Sequence, residues 1–163
     1  MDHFFNAEVN DRQQNPSRKE LSTAPIGTSS EARAFASLYH HREALGISSI
    51  WRCHAARLDG YLVTNRGEVI LLEMKETLGF GSVQAAVFEF ITGRQLLKLD
   101  ADRGLIVFRK KSKEWERCRP HGALGQLRLH SDEIPPNVNL KLGGIQIGPE
   151  NRVMGPTKSA LPL

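Results

Sequence analysis

The spacing of apolar positions changes along the chain, and it predicts which segments form helices and which form strands. Residues 29–45 carry Phe35, Leu38 and Tyr39 on one stripe at helical spacing, which predicts an amphipathic first helix. Residues 48–55 have a short strand pattern. A helix signal followed by strand signals in this order is typical of an α/β domain.

A β-hairpin is predicted for residues 57–76. Residues 57–64 have strand composition, residues 65–67 supply a turn that contains glycine, and residues 68–76 form the second strand. The continuous apolar run at 69–72 predicts that this second strand is central and covered on both faces.

The end of this hairpin carries charged residues. Side chains alternate between the two faces of a strand, so Glu73 and Lys75 share one face and Met74 lies on the other. If the hairpin pairs about residue 66, Asp59 lies opposite Glu73. Two carboxylates that meet in a buried place repel each other and require a partner or a metal ion. Because Mg²⁺ prefers one or two carboxylates, several waters and phosphate oxygens, the pattern predicts a hydrolytic phosphodiester site.

A second helix and a buried strand are predicted after the hairpin. Ser82 is a candidate cap for a helix over residues 83–99, and residues 104–109 have the composition of a buried strand. Gln84 lies in the first turn of this helix, on the same face as Phe88. An amide near a helix N-terminus can donate to a phosphate or hold a water molecule, so Gln84 is a candidate site residue; the alternative is an ordinary exposed residue.

The most basic stretch of the chain follows the buried strand. It contains one aromatic residue, Trp115, among six positive and two negative side chains. Basic residues that surround an aromatic predict a loop or hairpin tip that contacts a nucleic-acid backbone; the alternative is a solvated turn. The candidate nucleic-acid-binding residues are Arg57 on the hairpin and Arg109, Lys110, Lys111, Lys113, Trp115 and Arg117 in this stretch.

The chain of 163 residues is long enough for one domain with tails. We expect a flexible arm over residues 1–26, a single domain over 27–148 with its core at 27–110, and a tail over 149–163. Strand patterns at 124–130, 139–142 and 144–147 predict a β-rich C-terminal extension of the core.

Composition narrows the function only slightly. The net charge of +4 is compatible with a polyanionic partner. Two distant cysteines, Cys53 and Cys118, suggest neither a metal motif nor a disulfide framework. No apolar run is long enough to span a bilayer, and no signal peptide is recognised, so we expect a cytoplasmic protein with no membrane partner.

Asp59, a gap of thirteen residues and then Glu73-Met74-Lys75 resemble the catalytic signature of the PD-(D/E)XK nuclease superfamily. This superfamily includes restriction endonucleases, Holliday-junction resolvases and RecB-like nucleases. Leu58 replaces the proline of its name, and Phe88 stands where RecB-like members carry tyrosine four residues after glutamine. The resemblance covers residues 27–110 and implies a restriction-endonuclease-like αβββαβ core, with a mixed central sheet flanked by helices.

The resemblance also implies roles for individual residues. Asp59, Glu73 and the backbone carbonyl of Met74 would hold Mg²⁺ (or Mn²⁺), with Glu31 of the first helix as a possible further ligand. Lys75 would position or help deprotonate the attacking water, and Gln84 would steady the water or the phosphate. These roles imply a metal-dependent endonuclease that acts on DNA.

Two other interpretations stay open at this stage. A protein with the nuclease fold that no longer cuts could serve as a nucleic-acid-binding or assembly subunit, and it would not need a metal at Asp59 and Glu73. An ordinary α/β domain with a chance motif would not bring these two residues together. The sequence leaves open a duplex, single-stranded, branched or modified substrate, and it allows a homodimer.

Overall fold

A six-stranded sheet with helices on both faces forms the described part of the protein, which in this computed structural model comprises residues 17–54, 57–118, 138–148 and 161. The strands are β1 (Arg18–Glu20), β2 (Ile47–Cys53), β3 (Gly60–Thr64), β4 (Val69–Leu78), β5 (Arg103–Lys111) and β6 (Lys141–Gln146). The helices are α1 (Ser30–His40), α2 (Arg42–Leu45), α3 (Phe80–Leu96) and α4 (Lys113–Cys118). The predicted α/β class with a mixed sheet is confirmed.

The strands lie in the sheet in their chain order, from β1 to β6. Strands β1 to β4 pair antiparallel, whereas β5 runs parallel to β4 and β6 runs parallel to β5. Helix α3 connects β4 to β5, as a parallel pair requires. The C-terminal ends of β4 and β5 therefore lie at the same edge of the sheet.

Two apolar clusters cover the two faces of the sheet. Phe35 and Leu38 of α1 pack with Ile70 and Leu72 of β4 on one face. Leu71 of β4 packs on the other face, with α3. The alternation predicted for β4 is therefore confirmed, and Glu73 and Lys75 belong to the face that α3 covers.

The predicted first helix is interrupted. Ser29 caps α1, because its hydroxyl accepts a hydrogen bond from the N–H of Ala32 at 3.1 Å. At His41 the backbone leaves the helical region, with φ −101° and ψ 12°, and the short α2 follows. Gly46 ends α2 in the left-handed conformation, with φ 74°, which a glycine adopts readily.

Helix α3 begins earlier than expected. Its first residue is Phe80 rather than residue 83, and Gly79 occupies the cap position. Ser82 is therefore not the cap residue: it lies in the first turn, where its hydroxyl accepts a hydrogen bond from the N–H of Gly79 at 2.8 Å. Ser82 thus provides a hydrogen-bond acceptor for the N–H of the cap residue although it is itself part of the helix.

Two segments outside the expected core join the sheet. Arg18–Glu20, expected in a flexible arm, form the edge strand β1 against β2. The two strands expected at 139–142 and 144–147 are one strand, β6, which extends the central sheet. The strand predicted at 124–130 and nearly all of the predicted tail lie outside the described residues. Within the described residues, no helix is long and apolar enough to cross a membrane.

Gly93 allows α3 to approach Leu58, the residue between Arg57 and Asp59. A Cβ atom at Gly93 would lie 2.5 Å from the Cβ of Leu58, so Gly93→Ala should overpack this contact. Overpacking typically costs about 1–3 kcal/mol, which exceeds the ~1 kcal/mol that alanine gains over glycine in a helix. We expect Gly93→Ala to lower the free energy of unfolding measured with urea.

Gly81→Ala is the matched control in the same helix, because a Cβ there meets no atom within 4 Å. It should leave stability unchanged or raise it by up to about 1 kcal/mol. Equal stabilities for the two variants would show that Leu58 is not packed closely on α3.

Candidate active site

Asp59 and Glu73 hold each other at the end of the β3–β4 hairpin. The register of this hairpin is centred on residue 66, with Gly60 opposite Leu72, so the next pair outward is Asp59 and Glu73. The N–H of Asp59 donates to Oε1 of Glu73 at 2.9 Å, and the N–H of Met74 donates to Oδ2 of Asp59 at 2.8 Å. Glu73 thus accepts a hydrogen bond from the backbone of the residue that precedes β3, and Asp59 accepts one from the backbone of β4.

Glu73 is an acidic residue at an almost fully buried position. It is 2% exposed, and burial raises the pKa of its carboxyl well above its usual range. A hydrogen bond with Glu89 and the charges of Asp59 and Glu89 raise that pKa further, and the hydrogen bond from the N–H of Asp59 opposes the shift. In the absence of an added cation, the site therefore favours a protonated Glu73.

Asp59 experiences the same environment less strongly. Burial raises the pKa of its carboxyl, and the hydrogen bond from the N–H of Met74 lowers it. The charges of Glu31 and Glu89 raise the pKa again. Glu31 and Glu89 come from helices on opposite faces of the sheet. Together with Asp59 and Glu73 they make four carboxyl groups that act on one another at the end of the hairpin.

Lys75 lies between two of these carboxylates. Its Nζ is 3.7 Å from Oε2 of Glu73 and 3.2 Å from Oε2 of Glu89, and its side chain is 20% exposed. Glu89 was not among the residues predicted from the sequence. Its signal was available, because it is the one acidic residue in the apolar segment 80–96 and therefore requires a partner.

Glu31 lies at the edge of the site. It pairs with Arg52 of β2 at 3.3 Å, and its side chain is 40% exposed. Ser30, the preceding residue, donates to Oε2 of Glu76 at 2.8 Å, which ties the start of α1 to β4. Glu31 therefore faces the same end of the hairpin as Asp59, although the structure pairs it with an arginine.

The donor set suits a magnesium ion. Mg²⁺ needs only one or two carboxylates, since waters and substrate oxygens complete its shell. The N–H and C=O of one strand residue point to the same side, so the carbonyl of Met74 should face Asp59 as its N–H does. Within the described ranges, no three or more His, Cys, Asp or Glu side chains are grouped closely enough to hold an ion by themselves.

Gln84 lies on a different side of α3 from Glu89. It is exposed on α3, five residues before Glu89, which places the two side chains about 140° apart around the helix. The residue of α3 that reaches Lys75 is Glu89. Gln84 is exposed on the face of α3 that carries Phe88, as the helical spacing predicted, and its catalytic role stays a prediction.

The basic stretch has a different shape from the predicted loop. It consists of the end of β5, Ser112 and the short helix α4. Trp115 is 3% exposed and packs against Phe80, with ring centroids 5.0 Å apart. The prediction that Trp115 contacts nucleic acid is therefore wrong, because the indole is part of the core.

Strand pairing places one of the exposed cations of this stretch relative to the acidic site. Lys110, Lys113 and Arg117 are exposed, whereas Arg109 and Lys111 are half-buried. Lys110 lies opposite Thr77 in the parallel pair β4–β5, two residues beyond Lys75 along β4. Lys110 thus lies four residues beyond the level of Glu73, toward the C-terminal ends of β4 and β5.

Comparisons with protein-family models, with curated proteins and with solved structures find no match to this chain. The geometry of the site is therefore the basis for assigning a function.

The raised pKa of Glu73 predicts the pH dependence of stability. The unfolded chain releases this proton near pH 4.5, whereas the folded protein retains it. Stability from this group is therefore fully present below pH 4.5 and is lost as the pH rises toward the folded pKa, by at most about 1.4 kcal/mol per pH unit. Glu73→Gln keeps an acceptor for the N–H of Asp59 but has no proton to release.

We expect urea unfolding without divalent ions to show that Glu73→Gln gains stability over the wild type as the pH rises from 5 to 8. The exposed Glu116→Gln should show no such gain. Parallel pH profiles for the wild type and Glu73→Gln would contradict the raised pKa.

Proposed function

We propose that this protein is a metal-dependent nuclease that hydrolyses phosphodiester bonds, with DNA as the expected substrate. The observation that carries the proposal is the interlocked pair Asp59 and Glu73, which brings a half-buried and a buried carboxylate together, with Lys75 3.7 Å from Glu73. Such a group is unfavourable in a folded protein unless it binds a cation or performs chemistry.

The order of elements supports the same proposal. From Ser30 to Lys111 the chain forms helix, three antiparallel strands, helix and a parallel strand, with the short α2 as an addition to the first helix. This is the order that the resemblance to PD-(D/E)XK nucleases implies for an αβββαβ core. The acidic pair lies on the central hairpin, where that resemblance expects it.

The roles of the residues follow from their positions. Asp59, Glu73 and the carbonyl of Met74 would hold Mg²⁺ (or Mn²⁺), and Glu31 could support it through a water molecule. A divalent ion bound there would supply charge neutralisation at the scissile phosphate and a more acidic water. Ion binding would also favour the charged forms of both carboxyls, which burial opposes in the free protein.

Lys75 would orient the attacking water. Its ammonium donates to Glu89 at 3.2 and 3.4 Å and lies 3.7 Å from Glu73, so it is held from both sides close to the proposed ligands. Glu89 is a positioning residue in this scheme, because it acts through Lys75. The pairing would hold the ammonium close to Glu73, one of the proposed ligands, where it could orient a water.

The exposed cations of the basic stretch would contact the substrate backbone. All three are exposed: Lys110 lies four residues along β5 from the level of Glu73, and Lys113 and Arg117 follow in α4. Phosphate contacts of this kind position a nucleic acid without reading its sequence. They offset the repulsion between the substrate and the carboxylates of the site.

A second candidate function is a nucleic-acid-binding subunit with the same fold that does not cut. One observation favours it: the shorter ion pair of Lys75 is with Glu89, which is not one of the proposed ligands, rather than with Glu73. Such a protein would bind nucleic acid through its cations and would not depend on divalent metal.

Asp59→Asn separates the two candidates. Asparagine still offers an oxygen to the N–H of Met74, so the hairpin should fold, but it lacks the charge that a metal ion requires. With supercoiled plasmid, single-stranded DNA and a branched duplex in Mg²⁺ or Mn²⁺, we expect the wild type to cut at least one substrate. The variant should lose about a hundredfold or more in rate, since metal assistance provides several kcal/mol.

Glu116→Gln, which removes an exposed carboxylate of α4, should cut at the wild-type rate. Metal-independent binding without cleavage by the wild type would support the second candidate. Full activity in Asp59→Asn would exclude Asp59 as a metal ligand.

Replacing Lys110, Lys113 and Arg117 together with glutamine tests the backbone contacts. DNA affinity should fall, and the slope of log K against log salt should become shallower by up to about three, one for each phosphate that the variant no longer neutralises. Fluorescence anisotropy in EDTA between low and physiological salt measures both quantities. An unchanged slope would place the nucleic-acid contacts elsewhere.

A further inference from the structure

Phe88 is an exposed aromatic ring on the outer surface of α3. It is 56% exposed, whereas the other aromatic residues of the described part are buried or half-buried: Phe35, Tyr39, Trp51, Tyr61, Phe80, Phe90, Phe108 and Trp115. A single exposed apolar residue has no meaning by itself, because folded proteins expose many of them. The surroundings of Phe88 decide what the ring can do.

A guanidinium group lies against this ring. The Cζ of Arg57 is 5.5 Å from the ring centroid of Phe88, within the distance of a cation–π contact, and Arg57 is itself exposed. The guanidinium therefore lies over one face of the ring, and both planar groups are exposed to solvent, where the other face of either group is open to stacking. Aromatic rings and arginine planes are the two surfaces on which unpaired bases stack.

The pair lies beside the acidic site. Arg57 precedes Asp59 by two residues, so their Cα atoms are at most about 7 Å apart. Phe88 precedes Glu89, whose carboxylate binds Lys75. Leu58, between Arg57 and Asp59, is buried against Gly93 of α3. This contact fixes the segment 57–59 against the helix that carries Phe88.

We propose that Arg57 and Phe88 form a stacking platform that binds an unpaired nucleobase next to the cleaved phosphodiester. This inference rests on the proposed nuclease function and deepens it by naming the class of substrate. A base inside a duplex has neighbours on both faces, so the platform can engage it only in a single strand, at a branch, or after it has been flipped out. The arginine is also available to the adjacent phosphate, which makes the platform complementary to a nucleotide rather than to an uncharged ring.

A protein partner fits this surface poorly. A stable protein interface buries about 800 Å² on each side, with several large apolar residues at its centre. In residues 17–54, 57–118 and 138–148, the exposed large hydrophobic residues are Phe88 and Ile26, which do not build such a centre. One ring with one cation has the size and charge of a nucleotide-binding surface.

Binding measured in EDTA tests the platform without cleavage. Fluorescence anisotropy with labelled oligothymidylate and with a blunt duplex of equal length should show that Phe88→Ala weakens single-strand binding about 5- to 150-fold. Duplex binding should change much less. Phe88→Leu should behave like Phe88→Ala, because leucine keeps an apolar side chain but offers no aromatic face.

Two further variants sharpen the test. Phe88→Trp should retain single-strand binding, and oligothymidylate should quench its additional tryptophan emission. Ile26→Ala removes the other exposed large hydrophobic residue and should leave binding unchanged. Since Phe88 and Ile26 are both exposed, thermal unfolding should confirm that these variants remain folded.

The outcomes distinguish this inference from the proposed function. Unchanged single-strand affinity in Phe88→Ala would overturn the platform, even if the wild type cuts DNA in Mg²⁺. Equal losses for single strand and duplex would overturn it as well. Selective loss of single-strand binding would support the platform, and if the wild type then cut no substrate, the nuclease proposal alone would fail.

Discussion

The rest of the site depends on one interaction, the reciprocal hydrogen bonding of Asp59 and Glu73 to the backbone across the end of a hairpin. It forces two carboxyl groups into a place that burial makes unfavourable for charge. The apolar strands β3 and β4 supply the stability that permits this, because Leu62, Ile70 and Leu72 are fully buried. Under the proposed function, a bound cation would offset the cost of keeping these acids together.

The interaction also explains why two helices converge on the hairpin. Helix α1 brings Glu31, paired with Arg52, and α3 brings Glu89, paired with Lys75. Both pairs add charge of each sign around Asp59 and Glu73 without neutralising the central carboxyls. Acidic groups thus lie at the centre, and farther along the chain Lys110, Lys113 and Arg117 expose positive charge to solvent. A polyanion that binds these side chains would meet the centre only together with a cation.

The sequence predicted the hairpin, its register and the two faces of its central strand, because strand alternation leaves little freedom once the turn is placed. It therefore predicted that Asp59 lies opposite Glu73. It did not predict Glu89, because a helix that packs on a sheet can meet any residue of the facing strand, and spacing along the chain does not determine the partner of Lys75. The exposed, nucleic-acid-contacting position predicted for Trp115 was wrong for a related reason, because the packing of α4 on Phe80 is a tertiary effect.

Diffraction from crystals soaked in Mn²⁺ tests the central claim most directly, that the end of the hairpin binds a divalent ion. We predict an anomalous peak in contact with the carboxylates of Asp59 and Glu73 and with the carbonyl of Met74, at distances of about 2.1 Å, as is typical of Mg²⁺. A saturating soak that leaves the two carboxylates hydrogen-bonded as in the free protein, with no peak between them, would contradict the account.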